Sequence, residues 1–175
     1  MTVVRLDLAV HVLAPVHAVF EHCLDPRRIY ADDPSHTVTE AEVAEGGVGT
    51  RAHLVARLGP LTEHIALEYV EVVPDRRIVI DAHPAPRPLT PADDGPGVAT
   101  GGRLCRLTWT WTFTPDADGT FVTVLVVEHD APPWEHTLDV VTAHGGTHAF
   151  SAQVLRRLHR IKLAVEHETG APAGA

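Results

Sequence analysis

The chain has 175 residues, of which 45% are hydrophobic, and carries a formal charge of −9 at neutral pH. That length suits a single domain able to bury most of its apolar surface without staples. The acidic balance, with no basic block outside one face of the last helical segment, argues against nucleic acid and anionic membranes as main partners. Val3 to Leu13 alternates, with Leu6, Leu8, Val10 and Val12 on one side, which predicts a half-buried strand. From Pro15 the spacing of Val16, Val19, Phe20, Cys23 and Leu24 turns helical, with Asp25-Pro26 as its stop and a short second helical turn around Arg27 to Tyr30.

From His36 onward the pattern is strands joined by turns. His36 to Glu45 is a first run, and Thr50 to Leu58 follows with Ala52, Leu54, Ala56 and Leu58 on one face. Leu61 to Val73 places Ile65, Leu67 and Tyr69 inward, and Pro74-Asp75 turns into Arg77 to His83. Short connections of this kind make neighbouring strands antiparallel. Residues 84–103 are rich in proline and glycine, have no periodicity and predict a mobile loop inside one domain. Leu104 to Thr114 then alternates strongly, with Leu107, Trp109, Trp111 and Phe113 on one face and threonines on the other. A turn at Asp116 to Gly119 leads into Thr120 to Asp130, whose inward set is Val122, Val124 and Val126, then Glu128 and Asp130 near its end. Trp134 to His144 reads as a short amphipathic turn.

The last helix, His148 to His167, is the element around which the strands must be arranged. Val154, Leu158, Ile161 and Val165 form one apolar stripe, which Leu155 is expected to widen, and Arg156, Arg157, Arg160 and Lys162 are expected around the opposite side. Gly145-Gly146 precede it, and Gly170 with Pro172 ends it. The domain is expected to span residues 1–168, with 169–175 as a disordered tail.

The chain carries 13 histidines, but they are scattered, and the pairs His144 with His148 and His129 with His136 are interrupted by glycines or prolines. Neither pair sits at i, i+4 within one regular helix as a zinc motif would, so surface histidines, no metal and no cofactor are the expectation. Cys23 and Cys105 lack metal-type spacing and read as free thiols of a reducing compartment. No apolar run approaches the roughly 20 residues of a membrane helix, and the N-terminal stretch has no basic flank, which predicts a cytoplasmic protein without membrane insertion.

Taken in order, VHVLAPVHAVFEHCLDPRR at 10–28, GGVGTR at 46–51, EYVEVVPDRRIVI at 68–80, WTFTPDADGTFVTV at 111–124 and VLRRLHRIKLAVE at 154–166 resemble the START-like (Bet v 1-like, SRPBCC) superfamily. Within it the chain looks nearest to the bacterial polyketide cyclase/dehydratase group. The resemblance implies an α+β helix-grip fold: a curved seven-stranded antiparallel sheet wrapped around a long C-terminal helix, with two short helices after the first strand. It also implies a deep apolar cavity between sheet and helix, and carries no catalytic signature onto particular residues.

Alternation then selects the residues that face such a cavity. Trp109, Trp111, Leu54 and Leu67 would line it from the sheet, and Val154, Leu158 and Ser151 from the helix. Glu128, Tyr69 and His148 are the candidate acid-base and donor groups. The bland alternatives are that the tryptophans are packing residues, Glu128 is solvated or salt-bridged, and His148 is a surface group at a helix start. Two functions fit. One is an enzyme of the polyketide cyclase, aromatase or dehydratase type, and the other is a non-catalytic protein that binds or transfers a lipid, quinone or other hydrophobic ligand. A co-chaperone-like interaction module is less suited, because the outer face shows no extended charged or aromatic patch. The threonine-rich outer face of residues 106–114 offers a surface for a homodimer.

Overall fold

The computed structural model describes residues 5–58, 61–85, 106–129 and 147–171. Strand β1 (Arg5–Val12) is followed by helices α1 (Val16–Cys23) and α2 (Pro26–Ile29). Six strands come next: β2 (His36–Glu42), β3 (Arg51–Leu58), β4 (Leu61–Val73), β5 (Arg77–Pro84), β6 (Arg106–Pro115) and β7 (Thr120–His129). The C-terminal helix α3 spans Thr147–Thr169. Asp25 caps α2 by accepting from the Arg27 amide at 2.8 Å, and Pro26 takes the first helical position, where a missing N–H costs nothing.

The strands form one sheet in the order β1-β7-β6-β5-β4-β3-β2, with every neighbouring pair antiparallel. This is the helix-grip architecture: a single sheet that follows the chain except at its edge, where β1 closes onto β7 beneath the long helix. The β6–β7 turn is tight against that edge. A Cβ on Gly119 would stand 2.2 Å from the Val12 carbonyl oxygen, so a side chain is excluded there.

One face of the sheet meets the helices. Phe113 packs edge-on against Phe20 of α1 with ring centroids 5.5 Å apart, and the Tyr69 hydroxyl donates to the Cys23 carbonyl at 3.0 Å. Val154, Leu158, Ile161 and Val165 of α3 are all buried against this face. At the C-terminal end of α3 the joint is polar as well as apolar: Glu166 accepts from the Leu13 amide at 2.7 Å, and Lys162 donates to the His11 carbonyl at 3.0 Å and pairs with Glu166.

Two expectations for α3 are corrected. Arg157 is buried at 2% exposure instead of lying on the open side, and Leu155, at 44%, lies on the open side instead of widening the stripe. At 100° per residue Arg157 is about 70° from the centre of the apolar stripe, whereas Leu155 is about 90° away on the other flank. Helix geometry therefore placed the charged residue inside once a partner was available. The proline-rich stretch begins within the sheet, since Pro84 pairs with Ile65 and the Ala85 amide donates to the His64 carbonyl. Residues 86–105, the segment containing Trp134 to His144, and residues 172–175 lie outside the described residues.

Candidate functional site

The register assembles the inner face row by row. Ala41, Ala52, Leu67, Ala82, Leu107 and Glu128 form one row across six strands, because each is paired with the next. The next row is Tyr69, Ile80, Trp109, Val126 and Leu6, and the one after it contains Ile78, Trp111, Val124 and Leu8. On the other side of the alanine row lie Leu54 with Ile65, then His36, Ala56 and Glu63. Alanines at three positions of one row leave room where larger side chains would otherwise fill the interior. The backbone of α3 runs close to β1, α1 and α2 and stands off from the central strands, so side chains such as Phe150, whose ring lies 6.0 Å from that of Trp109, bridge the gap.

The polar groups of this face gather at one end. His36 opens β2, Glu63 is near the start of β4, and Glu128 is the last inward residue of β7. Because β2 and β4 run opposite to β7, these positions share the end of the sheet at which α3 begins. Glu128 is 2% exposed.

Arg157 ties α3 to this end. Its Nε and Nη2 donate to Asp33 Oδ2 at 3.0 and 2.9 Å, and Arg160 adds a contact to the same oxygen at 3.1 Å. The guanidinium lies 4.3 Å from the Tyr30 ring centroid and 5.7 Å from that of Trp109. Arg157 Nη2 also lies 3.0 Å from His36 Nδ1, with Gln153 Nε2 at 3.4 Å. Arginine and the Gln amide nitrogen can only donate, so Nδ1 is an acceptor and His36 is the neutral Nε2–H tautomer. Burial, reinforced by the nearby Arg157 and Arg160 charges, lowers the His36 pKa and agrees with that state. Burial works against the Asp33 carboxylate, yet the Arg157 charge and the Ser35 amide hold it well below the usual carboxylate range. An open cleft of about 400 Å³, lined by Arg27, Tyr30, Asp33, His36 and Val38 among others, adjoins this network.

Leu54, Leu67, Tyr69, Trp109, Trp111 and Glu128 all project from the inner face, and Val154 and Leu158 face them from α3. Ser151 is half-buried in the first turns of the helix. The Tyr69 hydroxyl is committed to the Cys23 carbonyl, and burial pushes its pKa well up, so it braces α1 against the sheet. The backbone of His148 belongs to α3, and its side chain lies outside the described residues. Sequence reasoning missed Asp33, His36, Glu63 and Arg157. For Glu63 the signal was present, since it continues the inward i, i+2 series of Ile65, Leu67 and Tyr69. Elsewhere, His11 Nε2 comes within 3.6 Å of both Asp116 and Asp118 at the β6–β7 turn.

The outer face of the sheet is laced with ion pairs, including Arg51 with Glu68, Arg77 with Glu71 and Arg106 with Asp81. No helix among the described residues is long and apolar enough to cross a membrane.

A curved sheet gripping a helix over an inner face of mixed apolar and ionisable side chains defines the class of helix-grip proteins that hold hydrophobic ligands. Residues 3–161 match the family model described as polyketide cyclase / dehydrase and lipid transport, and the chain belongs to that family. No curated protein matches it in sequence. Among solved structures it is similar to the Zhui aromatase/cyclase of a Streptomyces species, with a TM-score of 0.67 and 16% identity over 99% of this chain and 100% of that one. It is similar also to the di-domain ARO/CYC StfQ of the steffimycin biosynthetic pathway, with a TM-score of 0.68 and 16% identity over 97% of this chain and 53% of that one. Ara h 8.0201 shares the fold at a TM-score of 0.58 and 15% identity, over 94% of this chain and 98% of that one.

Proposed function

We propose that the protein binds a hydrophobic small molecule between the inner sheet face and α3, and acts on it as a polyketide cyclase, aromatase or dehydratase. The observation that carries this reading is the placement of His36, Glu63 and Glu128 toward the same end of a face otherwise walled by Trp109, Trp111 and aliphatic side chains. Aldol cyclisation of a poly-β-keto chain requires a base for an acidic α-proton, a donor to polarise a carbonyl, and a shaped apolar surface that folds the chain. Glu128 is the carboxylate placed deepest on that face and takes the α-proton. His148, near the start of α3, is the second acid-base group, and Ser151 one turn on is a further donor. Trp109 and Trp111 supply the platform against which the nascent ring lies flat, while Leu54, Leu67, Val154 and Leu158 shape the rest of the wall.

A specific observation favours a second reading, non-catalytic binding or transfer of a lipid, quinone or similar molecule. The Tyr69 hydroxyl and the Arg157 guanidinium, two polar groups that chemistry would use, are both occupied in holding elements together. Native mass spectrometry of the purified protein, followed by incubation with a poly-β-keto thioester mimic, separates the two. The enzymatic reading expects a 1:1 complex and a cyclised, dehydrated product whose formation is lost in Glu128→Gln while binding persists. Binding without product in the unaltered protein supports the transfer reading.

A further inference from the structure

Glu63 is a carboxylate on the inner face that stands apart from the Arg157 network. Its pairing partner Ala56 is fully buried, and no bulge interrupts β4 between Glu63 and the buried Leu67 and Tyr69, so its side chain emerges on the helix-facing side. It is half-buried. Among the described residues no hydrogen bond or ion pair reaches it. Burial raises its pKa, and no charge among the described residues offsets it. The contrast with Asp33 at the same end is direct, since that carboxylate is met by two arginines and a backbone amide. A half-buried carboxyl with no protein donor keeps its lone pairs open to water or to a donor on a bound molecule.

We infer that Glu63 receives a hydrogen-bond donor of the bound molecule, so that the site accepts hydrophobic ligands ending in a hydroxyl or amine and discriminates against hydrophobic carboxylates. This rests on the reading that the inner face holds a hydrophobic ligand. The chemistry is that of a terminal selector. An alcohol or phenol donates one hydrogen bond, an ammonium donates one with charge assistance, and a carboxylate brings a second negative charge to a place where no cation stands among the described residues.

The test uses the full chain loaded with Nile red, a neutral reporter, at pH 8. The reporter is displaced by dodecanol, dodecylamine or dodecanoate, each below its micellar concentration. Alcohol and amine are expected to displace it at concentrations about tenfold lower than dodecanoate, the scale of one charge-assisted hydrogen bond. Glu63→Gln should shrink the gap between amine and carboxylate at least about fivefold, with dodecanoate gaining and amine losing. An unchanged ranking in Glu63→Gln, within about twofold, overturns the inference while leaving the ligand site standing. Failure of the unaltered chain to take up Nile red, or of all three probes to displace it, overturns the ligand site itself. Circular dichroism of Glu63→Gln establishes that the variant is folded, and Glu63→Asp, which keeps the charge, should keep the preference for amine over carboxylate.

Discussion

The Arg157 guanidinium directs two hydrogen bonds, from Nε and Nη2, at a single oxygen of Asp33, and both side chains are almost fully buried at 2% and 1% exposure. This pair, with Arg160 on the same oxygen, joins the C-terminal helix to the turn between α2 and β2. Breaking a buried pair by removing one partner costs about 3–5 kcal/mol. The two truncations should differ. Arg157→Met leaves Asp33 still paired with Arg160, whereas Asp33→Ala leaves the buried Arg157 without a counter-charge. Urea unfolding should therefore rank Asp33→Ala as the more destabilised, with the Asp33→Ala, Arg157→Met double variant recovering part of the loss. Equal costs that add in the double variant contradict the coupling.

The same cluster predicts an acid-sensitive fold. His36 has a lowered pKa, so between its unfolded value near 6.5 and its lower folded value the unfolded chain binds a proton that the native chain does not, and stability falls as pH falls through that window. Asp33 has a depressed pKa, so its contribution is fully present above the unfolded carboxylate value near 3.9 and is lost below it. The urea midpoint should drop between pH 7.5 and 5.5, and His36→Gln should reduce that drop. It should not abolish it, because buried His22 has a pKa lowered for the same reason. A drop of equal size in His36→Gln contradicts the assignment.

Whether the alanine row borders ligand space is read by enlarging it. Ala82 sits between Leu67 and Leu107 on the inner face and is 4% exposed. If the space is there, Ala82→Leu fills it and blocks Nile red uptake with little change in stability. In a solidly packed interior the same change costs about 1–3 kcal/mol. Thermal melts and dye binding of one variant decide between them.

Trp109→Ala should destabilise by about 3–5 kcal/mol, the range for loss of a buried aromatic side chain. Besides its sheet neighbours, Trp109 supports Phe150 and lies close to Arg157, so the loss extends to the seating of the helix start. Trp109→Phe should retain most of the stability while weakening binding of an aromatic ligand, as measured by dye displacement. Unchanged affinity in Trp109→Phe removes the indole from the ligand wall.

Cys23 is fully buried, and burial pushes its thiol up to about 12. At pH 8 the native Cys105→Ser variant should react with a thiol reagent only as fast as it opens, and quickly once urea unfolds it. Rapid labelling of the native variant at a rate independent of urea contradicts a closed α1–sheet joint.

The elements and their order were legible along the chain. Alternation in β3, β4, β6 and β7 and the stripe Val154, Leu158, Ile161 and Val165 on α3 each depend on a local period, and a local period survives without knowledge of partners. The inward set of the sheet was legible for the same reason, down to Trp109, Trp111 and Glu128. The hydroxyl of Tyr69 was not, because its acceptor is a main-chain carbonyl 46 residues away. Tertiary structure alone decided the charged interior. Arg157 reads as a surface residue until Asp33, 124 positions distant in the chain, is brought beneath it. Asp33 in turn reads as part of a solvated turn. A buried charge is stable only with a partner, and the partner is supplied by packing across the whole fold, which no window along the sequence contains.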